Sequence, residues 1–215
     1  MPSESLKSWL GKNAHRYNEA LTPEVLSYLA GRGLDQDAVR GSLLGLVADP
    51  DPLHEQYRDR LSIPFITPTG VVYMRFRCLG DMADEKHSCK EYGHGKYEGP
   101  SEQGTHLYNV AALHEADTVI AICEGELDAQ VATVCGLPAV GVPGAQNWKS
   151  FYYRLFDDFG RVLILGDGDT AGRTFTNKLA SVISGGEAKV LPNGQDVSSF
   201  VVEYGKEAFM EFALS

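Results

Sequence analysis

Two short acidic clusters hold the residue types best suited to chemistry: Glu124-Gly125-Glu126-Leu127-Asp128-Ala129 and Gly166-Asp167-Gly168-Asp169-Thr170-Ala171-Gly172. Each follows an apolar run that reads as a buried strand, Thr118 to Cys123 and Arg161 to Leu165, and each opens a helix-like stretch. Carboxylates at strand ends lie where open α/β sheets place their ligand sites. The interval from 124 to 167 leaves room for a helix, a strand and a second helix, which can bring Glu124, Asp167 and Asp169 to one point. Carboxylates crowded in this way repel one another unless a cation neutralises them. Hard oxygen donors suit Mg²⁺ or Mn²⁺, and such an ion most often serves phosphoryl transfer.

Other residues have two readings each. Asp128 lies in the first turn of a helix, where it complements the dipole or ligates. Asp196 precedes another helical stretch, as an N-cap or a metal ligand. Glu126 reads as solvent-facing. Arg75 and Arg77 recur at the strand period beside Tyr73, either as a solvated sheet face or as a surface on which a base can stack. His87, Cys89 and His94 are near one another in sequence and could bind zinc. Without a fourth ligand, such a loop group reads as incidental. Trp148 reads as a packing residue.

These residues need elements to hold them. Up to about residue 50 the chain reads as helical. Thr22-Pro23-Glu24 is a helix start, with Thr as N-cap and Pro at the first helical position. Gly31 and Gly33 stop that helix, and a short helix is predicted from Gln36 to Leu43. Leu61, Ile63 and Phe65 alternate, Pro68-Thr69-Gly70 is a turn signal, and Val71 to Leu79 alternates again, which predicts a hairpin in a mostly antiparallel sheet. In the second strand Val72, Met74, Phe76 and Cys78 face one way, and Val71, Tyr73, Arg75 and Arg77 the other. Residues 80 to 106 are polar, glycine-rich and without period, so they read as a long loop.

From about 107 the pattern alternates strand and helix. Strands are predicted at Thr118–Cys123, Ala139–Val142, Arg161–Leu165 and Ala188–Leu191. Helices are predicted at Glu126–Cys135, Ser150–Asp158, Ala171–Ile183, Val197–Tyr204 and Lys206–Ala213. This order specifies an α/β fold, a parallel sheet with crossover helices, preceded by a smaller mixed α+β subdomain. The predicted division is 1–106 and 107–215.

The bulk numbers set bounds. A chain of 215 residues with 43% hydrophobic content allows one large domain or two small ones. No apolar run approaches the roughly 20 residues of a membrane span, and the N-terminus shows no leader pattern, so the expected location is the cytoplasm. Cys78, Cys89, Cys123 and Cys135 fit a reducing compartment and form no C-x-x-C pair, which argues against a zinc ribbon. A net charge of −10 argues against nonspecific coating of nucleic acid. It leaves room for an enzyme that holds a strand through a small basic surface.

Taken together, Glu-Gly-Glu-Leu-Asp-Ala and Asp-Gly-Asp-Thr-Ala-Gly-Arg resemble the Toprim domain, and their context resembles the catalytic core of bacterial and phage DnaG-type primases. Tyr28-Leu29-Ala30-Gly31-Arg32-Gly33-Leu34 resembles the family's "YL-x-x-RGL" segment. Arg58-Asp59-Arg60-Leu61-Ser62-Ile63-Pro64-Phe65 resembles "RDRVMFPI". Lys96-Tyr97 with Leu107-Tyr108-Asn109 resembles "KYLNSPET…LYG", and Leu191-Pro192-Asn193-Gly194-Gln195-Asp196 resembles "LP-x-G-x-D".

The resemblance implies roles. Glu124 would be the Toprim glutamate, an acid/base or metal ligand. Asp167 and Asp169 would be the metal pair, with Asp128 and Asp196 as further acidic positions. Lys96 and Tyr97 would belong to a basic ridge for template and nucleotide, extended by Arg58, Arg60, Arg75 and Arg77. The implied activity is synthesis of short RNA primers from ribonucleoside triphosphates on single-stranded DNA. Two alternatives keep the fold. A Toprim nuclease or topoisomerase-like fragment would need an ATPase loop or a nucleophilic tyrosine on another domain. A non-catalytic module would only bind DNA.

Two departures stand out. The family's "HKGR" element is shortened to Gly104-Thr105-His106, and Gly166 stands where an aromatic residue is usual. With no zinc-binding module before the core and no helicase-binding domain after Ser215, both functions are expected from other chains or from a longer protein.

Overall fold

The structure, a computed structural model, describes residues 2–84, 86–100, 106–192 and 194–215. Gly104, Thr105 and Asn193, named in the resemblances above, therefore lie outside the described residues. The chain divides into two compact units, Met1–Gly31 with Asp35–Gly104, and Arg32–Leu34 with Thr105–Ser215. A cut at 106 does not foresee that Arg32–Leu34 counts with the later residues. The reason is local: Gly33 has φ +84, and a Cβ there would lie 3.4 Å from Val131.

The first unit contains helices α1 (Glu4–Glu19), α2 (Pro23–Ala30) and α3 (Gln36–Gly41) and strands β1 (Gly45–Leu46), β2 (Leu61–Thr67) and β3 (Gly70–Arg77). Thr22 caps α2, its hydroxyl accepting the Val25 N–H. The turn at 68–70 closes an antiparallel β2–β3 hairpin in which Ser62 faces Phe76 and Leu61 faces Arg77. The long loop carries more order than its composition suggests: a short helix α4 (Gly80–Ala83) and a strand β4 (Tyr97–Glu98) that pairs with β3. The sheet order is β1-β2-β3-β4. Its core packs Leu10, Ala14 and Tyr17 of α1 against Val71, Met74 and Phe76 of β3.

The second unit is a parallel sheet of order β6-β5-β7-β8, from β5 (Val119–Cys123), β6 (Ala139–Gly141), β7 (Arg161–Gly166) and β8 (Gly186–Val190). Helices α5 (Ala112–Glu115), α6 (Glu126–Val134), α7 (Thr170–Ala180) and α8 (Val197–Leu214) complete it. Strands β5 and β7 read as continuous apolar runs because both faces are covered, and Ile120, Ile122, Val162 and Ile164 are fully buried with Phe156, Phe175 and Leu179. Ser150–Phe156 forms a 3₁₀ helix rather than the α-helix predicted there. Gly205, at φ +87, interrupts α8 where the sequence placed a break between two helices. Trp148 packs on the core with Tyr152 and Phe156, the packing role read from the sequence.

Candidate active site

Glu124 follows the last residue of β5, and Asp167 follows the last residue of β7, so the pairing of these two parallel strands sets positions 124 and 167 at neighbouring strand ends. Three glycines make the second loop possible. A Cβ on Gly166 would meet the Gly172 carbonyl at 2.6 Å, and one on Gly172 would meet the Asp167 carbonyl at 2.2 Å. The aromatic residue usual before Asp-Gly-Asp therefore has no space at position 166. At Gly168 a Cβ would meet the Gly194 nitrogen at 2.5 Å. The Gly168 N–H donates to the Gln195 carbonyl at 2.8 Å, and the Gly194 N–H donates back to Gly168 at 3.0 Å. These bonds tie the segment carrying Asp196 to the Asp-Gly-Asp turn.

Burial and neighbouring charge raise three carboxylates of this cluster. Burial pushes Asp167 up to about 7, reinforced by Asp128, Glu124, Asp196 and Asp169. Burial also raises Glu124, with Asp169 and Asp128 adding to it and the Asp167 backbone N–H opposing. Asp128 is pushed up to about 6 by burial and by Asp196, against hydrogen bonds from Ser198 and the charge of Arg32. Oε2 of Glu124 is buried and has no hydrogen-bond partner. Carboxylates that raise one another in this way, with a buried oxygen left without a partner, have the hard-oxygen chemistry that suits a divalent cation.

Two of the five also do structural work. Asp169 is the N-cap of α7, accepting the Gly172 N–H at 2.8 Å. Asp196 is the N-cap of α8 in a capping box with Ser199, accepting its N–H at 2.7 Å and its hydroxyl at 2.6 Å. Asp128 accepts the Ser198 N–H at 3.1 Å and its hydroxyl at 3.0 Å, so it joins α6 to the start of α8. Arg32 lies 3.6 Å from Asp196. Sequence reasoning assigned no role to Arg32 or Ser198. The quoted "RGL" match contained the first, and nothing distinguished the second.

Several expectations need correction. Glu126 is buried, at 2% exposure, not solvent-facing. The basic ridge is largely internal. Arg77 is wholly buried, its guanidinium donating to both Asp81 oxygens at 3.2 and 2.5 Å. Arg60 is buried, paired with Glu98 at 3.2 Å and donating to the Gly95 carbonyl. Arg58 makes a local pair with Glu55 at 2.8 Å. Arg75 and Arg77 flank the Tyr97 ring at 5.1 and 5.8 Å, and Arg77 also lies over Tyr28. This is a cation–π ladder inside the first unit. Lys96 is exposed. His87, Cys89 and His94 do come together, and the end of β3 supplies a fourth ligand, Cys78. Strand periodicity had read Cys78 only as a sheet-face residue.

The fold is that of DnaG-type primase catalytic cores. The RNA polymerase domain of Mycobacterium tuberculosis primase DnaG superposes with a TM-score of 0.78 at 21% identity, over 99% of this chain and 84% of that one. A DnaG primase catalytic domain bound to single-stranded DNA superposes with 0.73 at 20%, over 98% and 81%. The chain belongs to the family of the Gene 57 protein of Mycobacterium phage D29, to which it is 37% identical over 160 residues, 72% of this chain and 98% of that protein. It is 24% identical to the DNA primase of Pasteurella multocida over 93% of its own length but only 40% of the enzyme's, so it spans about two fifths of that relative. No protein-family model matches the chain.

Proposed function

We propose that the chain joins ribonucleotides into short RNA primers on a single-stranded DNA template. The observation that supports this reading most is that burial and neighbouring carboxylates together raise Glu124, Asp128 and Asp167, with Asp169 and Asp196 among the groups that raise them, beside the ends of two neighbouring parallel strands. Glu124, Asp167 and Asp169 would hold Mg²⁺ or Mn²⁺. Asp128 and Asp196 would support them through Ser198 and Arg32. The chemistry a bound ion would supply there is neutralisation of triphosphate charge, activation of the primer 3′-hydroxyl and stabilisation of the departing pyrophosphate. The chain's own part is to orient these oxygens on rigid strand ends and helix caps. Asp167, pushed up to about 7, would release its proton to solvent at neutral pH when a cation takes its place.

Template contact falls to the first unit. Lys96 is the exposed cation beside Tyr97, with Arg75 stacked on that ring. The relatives suggest partners as well: a DnaG catalytic domain has been solved with single-stranded DNA, and an Aquifex aeolicus primase has been solved with zinc-binding and RNA polymerase domains together. A zinc-binding module and a replicative helicase on other chains would complete the system. The test is primer synthesis from labelled ribonucleotides on single-stranded DNA with Mg²⁺ or Mn²⁺. Extension products that vanish in Asp167→Asn and Asp169→Asn support the reading. Strand cleavage without synthesis would replace it with a nuclease.

A further inference from the structure

Cys78, His87, Cys89 and His94 each present a ligand atom, and all four atoms lie within 4.8 Å of one another. We propose that they form a structural zinc site, separate from the carboxylate cluster, that closes the segment between β3 and β4. Two thiols and two imidazoles form a Cys₂His₂ set, which Zn²⁺ takes tetrahedrally with S and N bonds near 2.3 and 2.0–2.1 Å. The edges of that tetrahedron are about 3.3–3.8 Å. The Cys78 sulfur is already 3.4 Å from Nε2 of His87, so only a small contraction of the rest is required.

The surroundings fit a metal better than an incidental group. The Gly80 N–H points at the Cys78 sulfur at 3.3 Å, the kind of donor that stabilises a thiolate ligand. Nδ1 of His94 donates to the Gly95 carbonyl at 3.2 Å, which fixes the tautomer and leaves Nε2 with its lone pair. His87 stacks on Tyr92 at 4.7 Å. Gly80 has no side chain for a reason: a Cβ there would lie 2.4 Å from Nε2 of His87.

The segment also needs a fastener. It is polar and glycine-rich, none of the residues 80–96 that the structure describes is fully buried, and the cysteines are free thiols. With four protein ligands the site has no open position, so its role is structural. Its far end is fixed where the Cys78 N–H donates to the Lys96 carbonyl at 2.8 Å, so the metal would hold Lys96 and Tyr97 in place. This proposal does not depend on the primer-synthesis reading.

The test is elemental analysis of tag-free protein, purified under reducing conditions and dialysed against metal-free buffer, with cobalt titration of the stripped chain. One zinc per chain is expected, together with thiolate-to-cobalt charge-transfer absorption. Cys78→Ser with Cys89→Ser should lose the zinc, while Asp167→Asn with Asp169→Asn should keep it. Amide exchange between 86 and 96 should slow at least tenfold when zinc is restored. Zinc below a tenth of an equivalent with no charge-transfer band would overturn the proposal, as would zinc retained by the double-serine variant. Should that variant fail to fold, the cobalt spectrum of the unsubstituted chain reports the thiolates by itself.

Discussion

At the scale of single residues, the acidic site joins charge to architecture. Asp169 and Asp196 start helices as well as facing the other carboxylates. Asparagine keeps the cap and removes the charge, whereas alanine removes both. Asp169→Asn should therefore abolish nucleotide transfer with little change in melting temperature. Asp169→Ala should abolish it and cost a further ~1 kcal/mol of stability. Parallel activity assays and thermal melts separate the two. The basic residues divide in the same way. Asp81→Ala would strand the buried Arg77 charge and should destabilise the fold by about 3 kcal/mol, measured by denaturant unfolding. Charge reversal at the exposed Lys96 should leave stability nearly intact, weaken single-stranded DNA binding and flatten its salt dependence by about one unit of slope per lost phosphate contact. If that variant binds DNA normally, the template path runs elsewhere.

At the scale of elements, much was legible and the failures have identifiable causes. The apolar runs ending in Cys123 and Leu165 specified buried parallel strands because nothing else buries both faces of so short a segment. The helix start at Thr22-Pro23 and the break at Gly205 were legible because backbone chemistry dictates them. Strand β4 was not, since two residues carry no period and its pairing to β3 is entirely non-local. Arg77 and Glu126 were misplaced for a shared reason: their partners lie in space, where pattern rules do not reach, so charge was read as exposure. Cys78 was hidden by the opposite error, a correct strand period that stopped further questions. The glycines at 166 and 168 looked like turn residues, but they are contact points. Gly168→Ala should push the Asp196 segment away from the Asp-Gly-Asp turn. Primer synthesis should then fall by at least tenfold, with far-ultraviolet circular dichroism retained.

At the scale of the whole molecule, one buried group in each unit links stability to pH, with opposite signs. His54 is buried among Trp9, Tyr17, Tyr57 and Phe76, and burial lowers it from 6.5 to about 4. The neutral buried ring costs nothing above pH 6.5, and stability is lost as pH falls from 6.5 toward 4, by about 3 kcal/mol. Asp167 is raised from 3.8 to about 7. Without a cation, the contribution of Asp167 to stability is full below pH 3.8 and is lost as pH rises toward 7. Trp9 and Trp148, the two tryptophans, lie one in each unit. In single-tryptophan variants without added magnesium, His54→Gln should remove an acid-side loss. Asp167→Asn should remove a rise over the same range. An unchanged pH profile in either variant would refute its assignment.

The strand order β6-β5-β7-β8 bears on when the carboxylates meet. Each neighbouring parallel pair is joined by a crossover, so Glu124 and Asp167 become neighbours only after the intervening chain has been laid down. Contacts of that sequence separation form late and set a slow refolding rate. An ion that needs both strand ends has nothing to grip before the rate-limiting step is passed. Millimolar Mg²⁺ should therefore slow unfolding in a stopped-flow experiment and leave the refolding limb unchanged. The cysteine–histidine group spans only residues 78 to 94 and could nucleate locally, so zinc should speed the return of its own unit. A nascent chain would then capture its two metals at different times, the soft one early and the hard one only when the sheet is finished.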